Sequence, residues 1–328
     1  MHAPRETGEQ WTSAYHAPVL VAEVLAVFVG ARRVLDGTLG GGGHAAALLA
    51  GGAHVTGLDR DPDALVAARE RLWEYGEMGE GDGGGKGEGA RFLAVPGNFA
   101  NVDEIGAIAG VQFDGILLDL GVSSHQLDSL DRGFSFREGT PLDMRMAGAE
   151  ASVTAAALLA ELDERELGRI FREYADEPRA MRLAREIVRR RANRPLETSD
   201  DLVGAIRGAL GPRTGPGDFA RLFQAVRIAV NDEMEALAEG LPRLRERLTS
   251  GGILAVITYH SGEDRLVKRA FREWSAACIC PPRHPVCSCR GAPLGELVAP
   301  RGVTSTAEEV ARNPRARSAR MRAWRRAA

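Results

Sequence analysis

A run of four glycines, Gly40 to Gly43, most constrains how this chain can fold. It follows a short apolar segment that ends at Asp36, and it precedes an Ala- and Leu-rich segment from His44 to Ala50. This order predicts a strand, a tight turn and a helix. Such a turn brings backbone close to a ligand, and the helix start adds unsatisfied N–H groups and partial positive charge at the carboxyl edge of a parallel sheet.

The acid before the glycines distinguishes between ligands for this turn. A dinucleotide would place its pyrophosphate where the turn meets the helix, and the carboxylate of Asp36 would repel it. S-adenosylmethionine instead carries an ammonium and a sulfonium, which suit a carboxylate. The spacing of Gly41, Gly43 and Ala46 matches a loose dinucleotide fingerprint, so a nicotinamide cofactor stays an alternative. Glycines that serve only close packing are a second alternative, although four in succession destabilise any element interior.

The next two predicted strands also end at polar or aromatic candidates. His54 to Asp59 is a strand that ends in an acid, and Asp59 is placed to accept hydrogen bonds from ribose hydroxyls. Asp61 is the better N-cap for the following helix, because Pro62 would then be its first residue. Phe99 follows the third strand, where it would lie either against an adenine or in the core.

The clearest buried strand is Phe113 to Leu120, which runs into Asp119. At this sheet edge Asp119 is placed to meet both cofactor and substrate, or to hold loop backbone. A later strand, Ile253 to Tyr259, leads into His260, and a lone His at such a position is more often structural than catalytic. These features predict an α/β fold whose parallel sheet binds S-adenosylmethionine at its carboxyl edge.

The strand and helix alternation is interrupted between Asp143 and Gly217, where the pattern is helical only. We therefore expect an inserted all-helical domain at 140–217 that covers the crevice and holds substrate. The α/β domain would then comprise 1–139 and 218–328. The stretch 76–89 is rich in glycine and acids and predicts a disordered surface insertion.

Charge and hydropathy limit the partners of the chain. The formal net charge is −3, but arginines cluster at 179–194, with Glu186 as the single acid, and at 312–326, with no acid. Each cluster is either a solvated face or a phosphate-binding surface. No apolar run is long enough to span a membrane and no secretory signal is evident, so we expect a cytoplasmic protein without a membrane partner.

All four cysteines fall in one short segment, as Cys278, Cys280, Cys287 and Cys289. This clustering argues against a disulfide framework, which would be spread through a small secreted chain. The segment is either a four-thiolate zinc site or a loop of reduced thiols. Zinc sites more often have two residues between paired cysteines, whereas each pair here has one. We expect no metal among the catalytic residues.

Several stretches together resemble the bacterial ribosomal RNA small subunit methyltransferase H family. They lie in the expected order along nearly the whole chain and comprise 16–20, 36–44, 59–61, 118–124, 132–136, 141–146, 223–228, 260–265 and 313–318. The resemblance implies a Rossmann-like, S-adenosylmethionine-dependent methyltransferase domain with an inserted all-helical domain. It also implies methyl transfer from S-adenosyl-L-methionine to the N4 amine of a cytidine in 16S ribosomal RNA of the small ribosomal subunit. The family's cofactor contacts carry over to Gly42, Gly43, His44, Asp59, Phe99, Asp119 and Gln126.

The chain departs from the family pattern at two sites and in one stretch. His125 stands where the family has proline, which loosens the loop that aims Gln126. Gly262 replaces a leucine between His260 and Glu263 and removes a side chain that would pack. The glycine-rich stretch 76–89 is an addition to the pattern.

A cytosine N4 is a poor nucleophile because its lone pair is delocalised into the ring. An acceptor for N4–H would help it attack the methyl group, and Asp119 is the first candidate, with Asp143 and His260 as weaker ones. The alternatives are a methyltransferase for a small molecule or protein, a nicotinamide enzyme, and a ribosome-assembly factor that binds RNA without catalysis. The sequence does not decide whether the chain forms a homodimer.

Overall fold

The computed structural model describes residues 18–76, 89–148, 153–280 and 288–328. Contacts divide the chain into two units, Met1–Gly121 with Ala236–Ala328, and Val122–Glu235. The insertion expected at 76–89 lies outside the described residues except at its two ends, and the domain boundaries expected near 140 and 217 stay a prediction. Within the four described ranges, no helix has the length and apolar character needed to cross a membrane.

The first unit is built on one mixed sheet. Its strands are β1 (Arg33–Asp36), β2 (His54–Asp59), β3 (Phe92–Pro96), β4 (Phe113–Asp119), β5 (Leu248–Thr258), β6 (Gly295–Leu297), β7 (Val303–Thr304) and β8 (Arg320–Arg326). They lie in the order β3, β2, β1, β4, β5, β8, β6, with β7 also paired to β8. β1 to β5 pair in parallel, as the alternation predicts, whereas β8 is antiparallel to β5, β6 and β7.

Helices connect the parallel strands and form the second unit. In chain order they are α1 (Val21–Val27), α2 (Gly43–Ala50), α3 (Pro62–Leu72), α4 (Ser124–Asp128), α5 (Ala155–Glu161), α6 (Glu164–Ala175), α7 (Ala180–Arg191), α8 (Ser199–Leu210), α9 (Pro216–Val230), α10 (Glu233–Glu246), α11 (Ser261–Ser275) and α12 (Ala307–Arg312). The expected single or broken helix at 219–248 is a broken pair. The break falls at Asp232, whose φ of 49° lies in the left-handed region.

Alternate residues of the strands belong to different apolar cores. Val34 and Leu117 pack with α1, α2 and α3 on one face of the sheet, while Leu35 and Ile116 pack with α10 and α11 on the other. This period of two is what a sheet covered on both faces requires. The sheet is therefore the middle of three layers, and the carboxyl ends of β1, β2, β4 and β5 share one edge.

The second unit has its own core, formed by helices α5 to α9 and the loop before them. Asp163 is the N-cap of α6 and accepts from the amides of Arg165 and Glu166, each at 2.8 Å. Asn231 ties the loop to the end of α9. Its side chain accepts from the Met146 amide at 2.8 Å and donates to the Met144 carbonyl at 2.7 Å.

The arginine-rich stretch 312–326 contains a strand of the sheet. β8 pairs along β5 from Arg320 to Arg325. Within it Arg322 is 4% exposed and forms a bidentate pair with Asp264, at 2.7 and 3.0 Å. The sequence interpretation missed this strand. Exposed arginines of the stretch are at 312, 315, 317 and 325.

The other arginine cluster, on α7, is largely neutralised within the second unit. Arg189 and Arg190 both donate to Glu186, at distances between 2.7 and 2.8 Å. The hydrogen bond from Arg189, opposed by desolvation and joined by that from Arg190, lowers the pKa of Glu186 to about 2. Arg191 donates to the carbonyls of Leu159 and Leu162. The contacts of Arg189 and Arg190 thus lie within α7, and Arg191 joins α7 to the end of α5.

Candidate functional site

The glycine run forms the predicted turn between β1 and α2. Gly40 and Gly42 have φ of 51° and 73°, in the left-handed region that side chains rarely adopt. A Cβ at Gly42 would also lie 3.0 Å from Leu72, and one at Gly43 would lie 3.0 Å from Pro18. Close packing therefore explains why Gly42 and Gly43 are glycines. The turn places the first amides of α2 at the carboxyl edge of the sheet.

Asp36 ends β1 beneath this turn and is 1% exposed. Its Oδ1 accepts from the Thr38 amide at 3.2 Å, whereas its Oδ2 is buried and has no hydrogen-bond partner among the described residues. Burial raises the pKa of Asp36 to about 7, against the opposing effects of His44 and the Thr38 amide. A buried acceptor without a donor is costly, so this oxygen is suited to a cationic or N–H-bearing ligand group.

Asp59, at the end of β2, holds two loops by its carboxylate. Its Oδ2 accepts from the Gly40 amide at 2.8 Å, and its Oδ1 accepts from the Asp61 amide at 2.9 Å. Burial raises its pKa to about 6, although both amides oppose the change. Asp61 is the N-cap of α3, as predicted, and accepts from the Asp63 amide. Asp59 thus fixes the glycine turn while retaining acceptor capacity on both oxygens.

Asp119, at the end of β4, is oriented by two neighbouring segments. Tyr259 donates its hydroxyl to Oδ1 of Asp119 at 2.8 Å, and the Asp119 amide donates to Oγ1 of Thr38 at 2.6 Å. Burial and the nearby Asp119 carboxylate raise the pKa of Tyr259 well above its usual value. The phenol therefore stays protonated and remains a donor. The Asp119 side chain is 7% exposed, so it is held in a largely water-excluded environment.

His44 lies on α2 between a carbonyl and this carboxylate. Its Nε2 is 2.8 Å from the Val19 carbonyl oxygen, and its Nδ1 is 3.6 Å from Oδ2 of Asp119. A carbonyl can only accept, so Nε2 carries a hydrogen. Nδ1, the other ring nitrogen, faces Asp119.

Phe99 begins a short 3-10 helix, Phe99–Asn101, after β3. A Cβ built on Gly240 of α10 would lie 2.7 Å from the Phe99 ring, so the ring packs closely against that helix. Phe99 is also near Gly37, whose built Cβ would lie 3.4 Å from the Phe99 Cβ. Phe99 is half-buried. Its ring packs in the core, and its Cβ lies beside the turn between β1 and α2.

His260 lies next to Tyr259 but is engaged as the N-cap of α11. Its Nδ1 accepts from the Gly262 amide at 3.2 Å, and its Nε2 is 3.1 Å from Oε1 of Glu263 without satisfying hydrogen-bond geometry. Glu263 in turn accepts from the Tyr259 amide at 2.8 Å. The cap thus holds the backbone of Tyr259 through Glu263. A catalytic role for His260 stays a prediction.

Gln126 and Asp143 belong to the second unit. Oε1 of Gln126 accepts from the Ser123 amide at 2.9 Å, and the residue is 6% exposed. Asp143 forms a bidentate pair with Arg145, at 2.7 and 2.9 Å for the shortest contacts. Burial would raise the pKa of Asp143, but the hydrogen bonds from Arg145 outweigh it and the pKa is lowered. As an ionised carboxylate paired with Arg145, Asp143 is a weaker candidate for proton transfer than Asp119.

Thus, at the sheet edge of the first unit, the structure brings together Asp36, His44 and Asp119, and it links Asp59 to the glycine turn. The sequence interpretation did not select Tyr259 or Thr38. Tyr259 follows β5, the strand beside β4, and this position at a neighbouring strand end is the signal that identifies it.

Known proteins of one family match almost the entire chain. The sequence model of the MraW methylase family matches residues 13–327. A protein of Gemmatimonas aurantiaca named ribosomal RNA small subunit methyltransferase H is 59% identical over 314 residues, which cover 96% of each chain. The protein of that name from Heliobacterium modesticaldum is 45% identical over 319 residues, which cover 94% of this chain and 97% of its own.

A solved rRNA methylase from Streptococcus thermophilus is 10% identical and covers 90% of this chain and 87% of its own, with a TM-score of 0.38. Similarity at this level does not indicate function.

Proposed function

Because this chain belongs to the MraW methylase family, we propose that it transfers the methyl group of S-adenosyl-L-methionine to the N4 amine of a cytidine in 16S ribosomal RNA. The family membership confirms the resemblance found in the sequence motifs. The observation that supports the reaction most directly is the placement of Asp119. Its carboxylate is held by Tyr259 at the same sheet edge as the glycine turn and Asp36.

The residues around the turn fit this cofactor. Oδ2 of Asp36 is a buried acceptor without a donor in the described parts of the chain, which suits the ammonium of the methionine moiety. Asp59 has acceptor capacity for ribose hydroxyls, and Phe99, whose Cβ lies beside Gly37, is the candidate contact for the adenine. When bound, S-adenosyl-L-methionine supplies a methyl group made electrophilic by the sulfonium. Dinucleotide binding is disfavoured, since the pyrophosphate would approach a carboxylate.

Asp119 would act on the cytosine amine. In the free base the N4 lone pair is conjugated with the ring, so attack requires the nitrogen to become tetrahedral. A carboxylate that accepts a hydrogen bond from N4–H favours that geometry and holds the base in an attacking position. Because the Tyr259 hydroxyl fixes Oδ1, the orientation of the carboxylate is set before substrate binds.

The proton released from N4 also needs an acceptor. Transfer of the methyl group forms the N4–C bond and breaks the C–S bond, and one N4 proton then leaves. Asp119 is placed to take it, and Nδ1 of His44, 3.6 Å from Asp119, is placed to receive it afterwards. His44 would therefore support turnover while its Nε2–H stays on the Val19 carbonyl.

An RNA substrate requires that the target base be turned out of its stack and that phosphates be held nearby. The short 3-10 helix Pro314–Ser318 presents Arg315 and Arg317 as exposed side chains on either side of the fully buried Ala316. The Asn313 cap and the buried Ala316 anchor the backbone that carries this pair, so its place on the surface is set before RNA binds. We infer that it contributes to binding the small ribosomal subunit.

The proposal is tested by incubating the protein with labelled S-adenosyl-L-methionine and small ribosomal subunits that lack the modification, followed by nucleoside analysis of the RNA. We expect the label in N4-methylcytidine. Label in another nucleoside would overturn the assignment of the target atom. Cofactor binding without transfer to RNA would instead favour a methyltransferase for a small molecule or protein, or an assembly factor without catalysis.

A further inference from the structure

Three cysteine thiols converge in the connection between α11 and β6. Cys278 and Cys280 follow the end of α11, and Cys289 precedes β6. Their Sγ atoms all lie within 4.8 Å of one another. The amide of Ile279 approaches Sγ of Cys289 at 3.4 Å, a contact of the kind that stabilises a thiolate. Cysteines from the two ends of the connection are thus gathered through their sulfur atoms.

Packing does not explain this cluster. Structural cysteines are usually buried as small apolar side chains, but Cys278 is exposed and the other two are only half-buried. Ile279, between the first two, is itself 47% exposed. A disulfide would join only two of the three sulfur atoms, and none of these three described cysteines forms one. Convergence of exposed thiols is instead typical of a thiolate metal site.

We propose that Cys278, Cys280 and Cys289 bind a Zn²⁺ ion as thiolates. Zinc binds sulfur at about 2.3 Å in tetrahedral geometry, which places ligand sulfurs about 3.8 Å apart. Thiols already within 4.8 Å of one another reach that spacing by side-chain adjustments of about 1 Å or less. Cys287 lies outside the described residues, so the site is defined by the three thiolates.

The zinc ion would anchor the edge of the sheet. The segment leads directly into β6, which pairs with β8, and the Leu294 amide donates to the Trp274 carbonyl at 2.8 Å. Arg290 donates to the Ala276 carbonyl at 2.9 Å. These contacts tie the two ends of the connection together, whereas the exposed cysteines and Ile279 contribute little to a core. Such a segment gains stability from a structural metal, and removal of the metal would loosen it.

The full chain, purified under reducing conditions without chelators, is analysed for metal and compared with Cys278→Ser, Cys280→Ser and Cys289→Ser. We expect one bound zinc per wild-type chain and a loss of most of it in each variant. Ser288→Ala is the matched control, since it removes a hydroxyl from the same segment but no thiol, and it should keep its zinc. Retention of zinc by the three cysteine variants would overturn the proposal.

A second measurement uses the wild-type chain alone and so does not depend on the folding of the variants. After removal of metal, Co²⁺ is added, and we expect absorption bands from charge transfer between thiolate and cobalt that Zn²⁺ then abolishes. Protein that binds neither ion under reducing conditions would contradict the site. Neither readout involves methyl transfer, so the result is independent of the proposed function.

Discussion

The hydroxyl of Tyr259 donates a 2.8 Å hydrogen bond to Oδ1 of Asp119, across two neighbouring parallel strands whose carboxyl ends meet. This contact joins residues 140 positions apart and orients the carboxylate that the proposed reaction needs. Tyr259 is a positioning residue, because it acts on the cytosine amine only through Asp119.

Replacement of Tyr259 by phenylalanine should slow methyl transfer without loss of the cofactor. The ring still packs, but Asp119 loses the donor that orients it, so we expect kcat to fall by about 10- to 100-fold. The Kd for S-adenosyl-L-methionine should change by less than about threefold. Tyr75→Phe removes a hydroxyl elsewhere in the first unit and is the control. An unchanged kcat in Tyr259→Phe would show that the hydrogen bond has no role in the reaction.

Binding of S-adenosyl-L-methionine should depend on pH through Asp36. Burial raises its pKa to about 7, so the folded apo protein holds this proton up to near-neutral pH. A cationic ligand group requires the ionised form, and binding should therefore weaken as pH falls below about 7, by up to about tenfold per pH unit. The measurement is calorimetric titration at several pH values.

Asp36→Asn should bind the cofactor more weakly at alkaline pH and lose most of this pH dependence, because it cannot ionise. Glu70→Gln, an exposed position on α3, is the matched control and should behave as the wild type. A wild-type affinity that stays constant between about pH 8 and about pH 6 would contradict the role given to Asp36.

In the second unit, the hydrogen bonds from Asn231, after α9, to the backbone of Met144 and Met146 should be important for stability. Asn231→Ala would leave the Met146 amide and the Met144 carbonyl without their buried partner, at a cost of about 2–4 kcal/mol in the free energy of unfolding. Asn193→Ala, at an exposed position after α7, should cost less than about 0.5 kcal/mol. Urea denaturation measures both, and equal costs would show that the loop does not depend on Asn231.

The exposed arginines of the Pro314–Ser318 helix should affect RNA binding but not cofactor binding. Charge reversal of Arg315 and Arg317 to glutamate should weaken association with small subunits and lower the slope of log K against log salt by about one for each phosphate that is no longer bound. The double lysine variant keeps the charge and should retain most of the affinity. RNA binding with an unaltered salt slope would exclude this surface as part of the interface.

Local signals in the sequence identified the acids at the ends of β1, β2 and β4, because an apolar run followed by an acid and small residues marks a strand end. The glycine turn was predicted for the same reason. The contact between Asp119 and Tyr259 could not be predicted in this way, since it depends on β5 pairing beside β4 although the whole second unit lies between them in the sequence.

The C-terminal strand shows how composition can conceal a pattern. Seven arginines without an acid between Arg312 and Arg326 suggested either a solvated face or a phosphate-binding surface. Arginine nevertheless alternates with apolar residues from Arg320 to Ala323, and Met321, Ala323 and Trp324 are almost fully buried. That period of two is the signal for β8. Since β8 is the partner of β5, truncation of the tail would destabilise the first unit, and point substitutions are the sounder test of RNA binding.

The assistance that Asp119 gives to the attack of cytosine N4 is tested most directly by single-turnover methyl transfer to unmodified small subunits, with wild type and Asp119→Asn compared. The amide keeps the shape of the side chain and an oxygen for Tyr259, but not the carboxylate. We predict that S-adenosyl-L-methionine still binds while the rate of N4-methylcytidine formation falls by about 10²- to 10⁴-fold. A rate within about twofold of the wild type would contradict this role for Asp119.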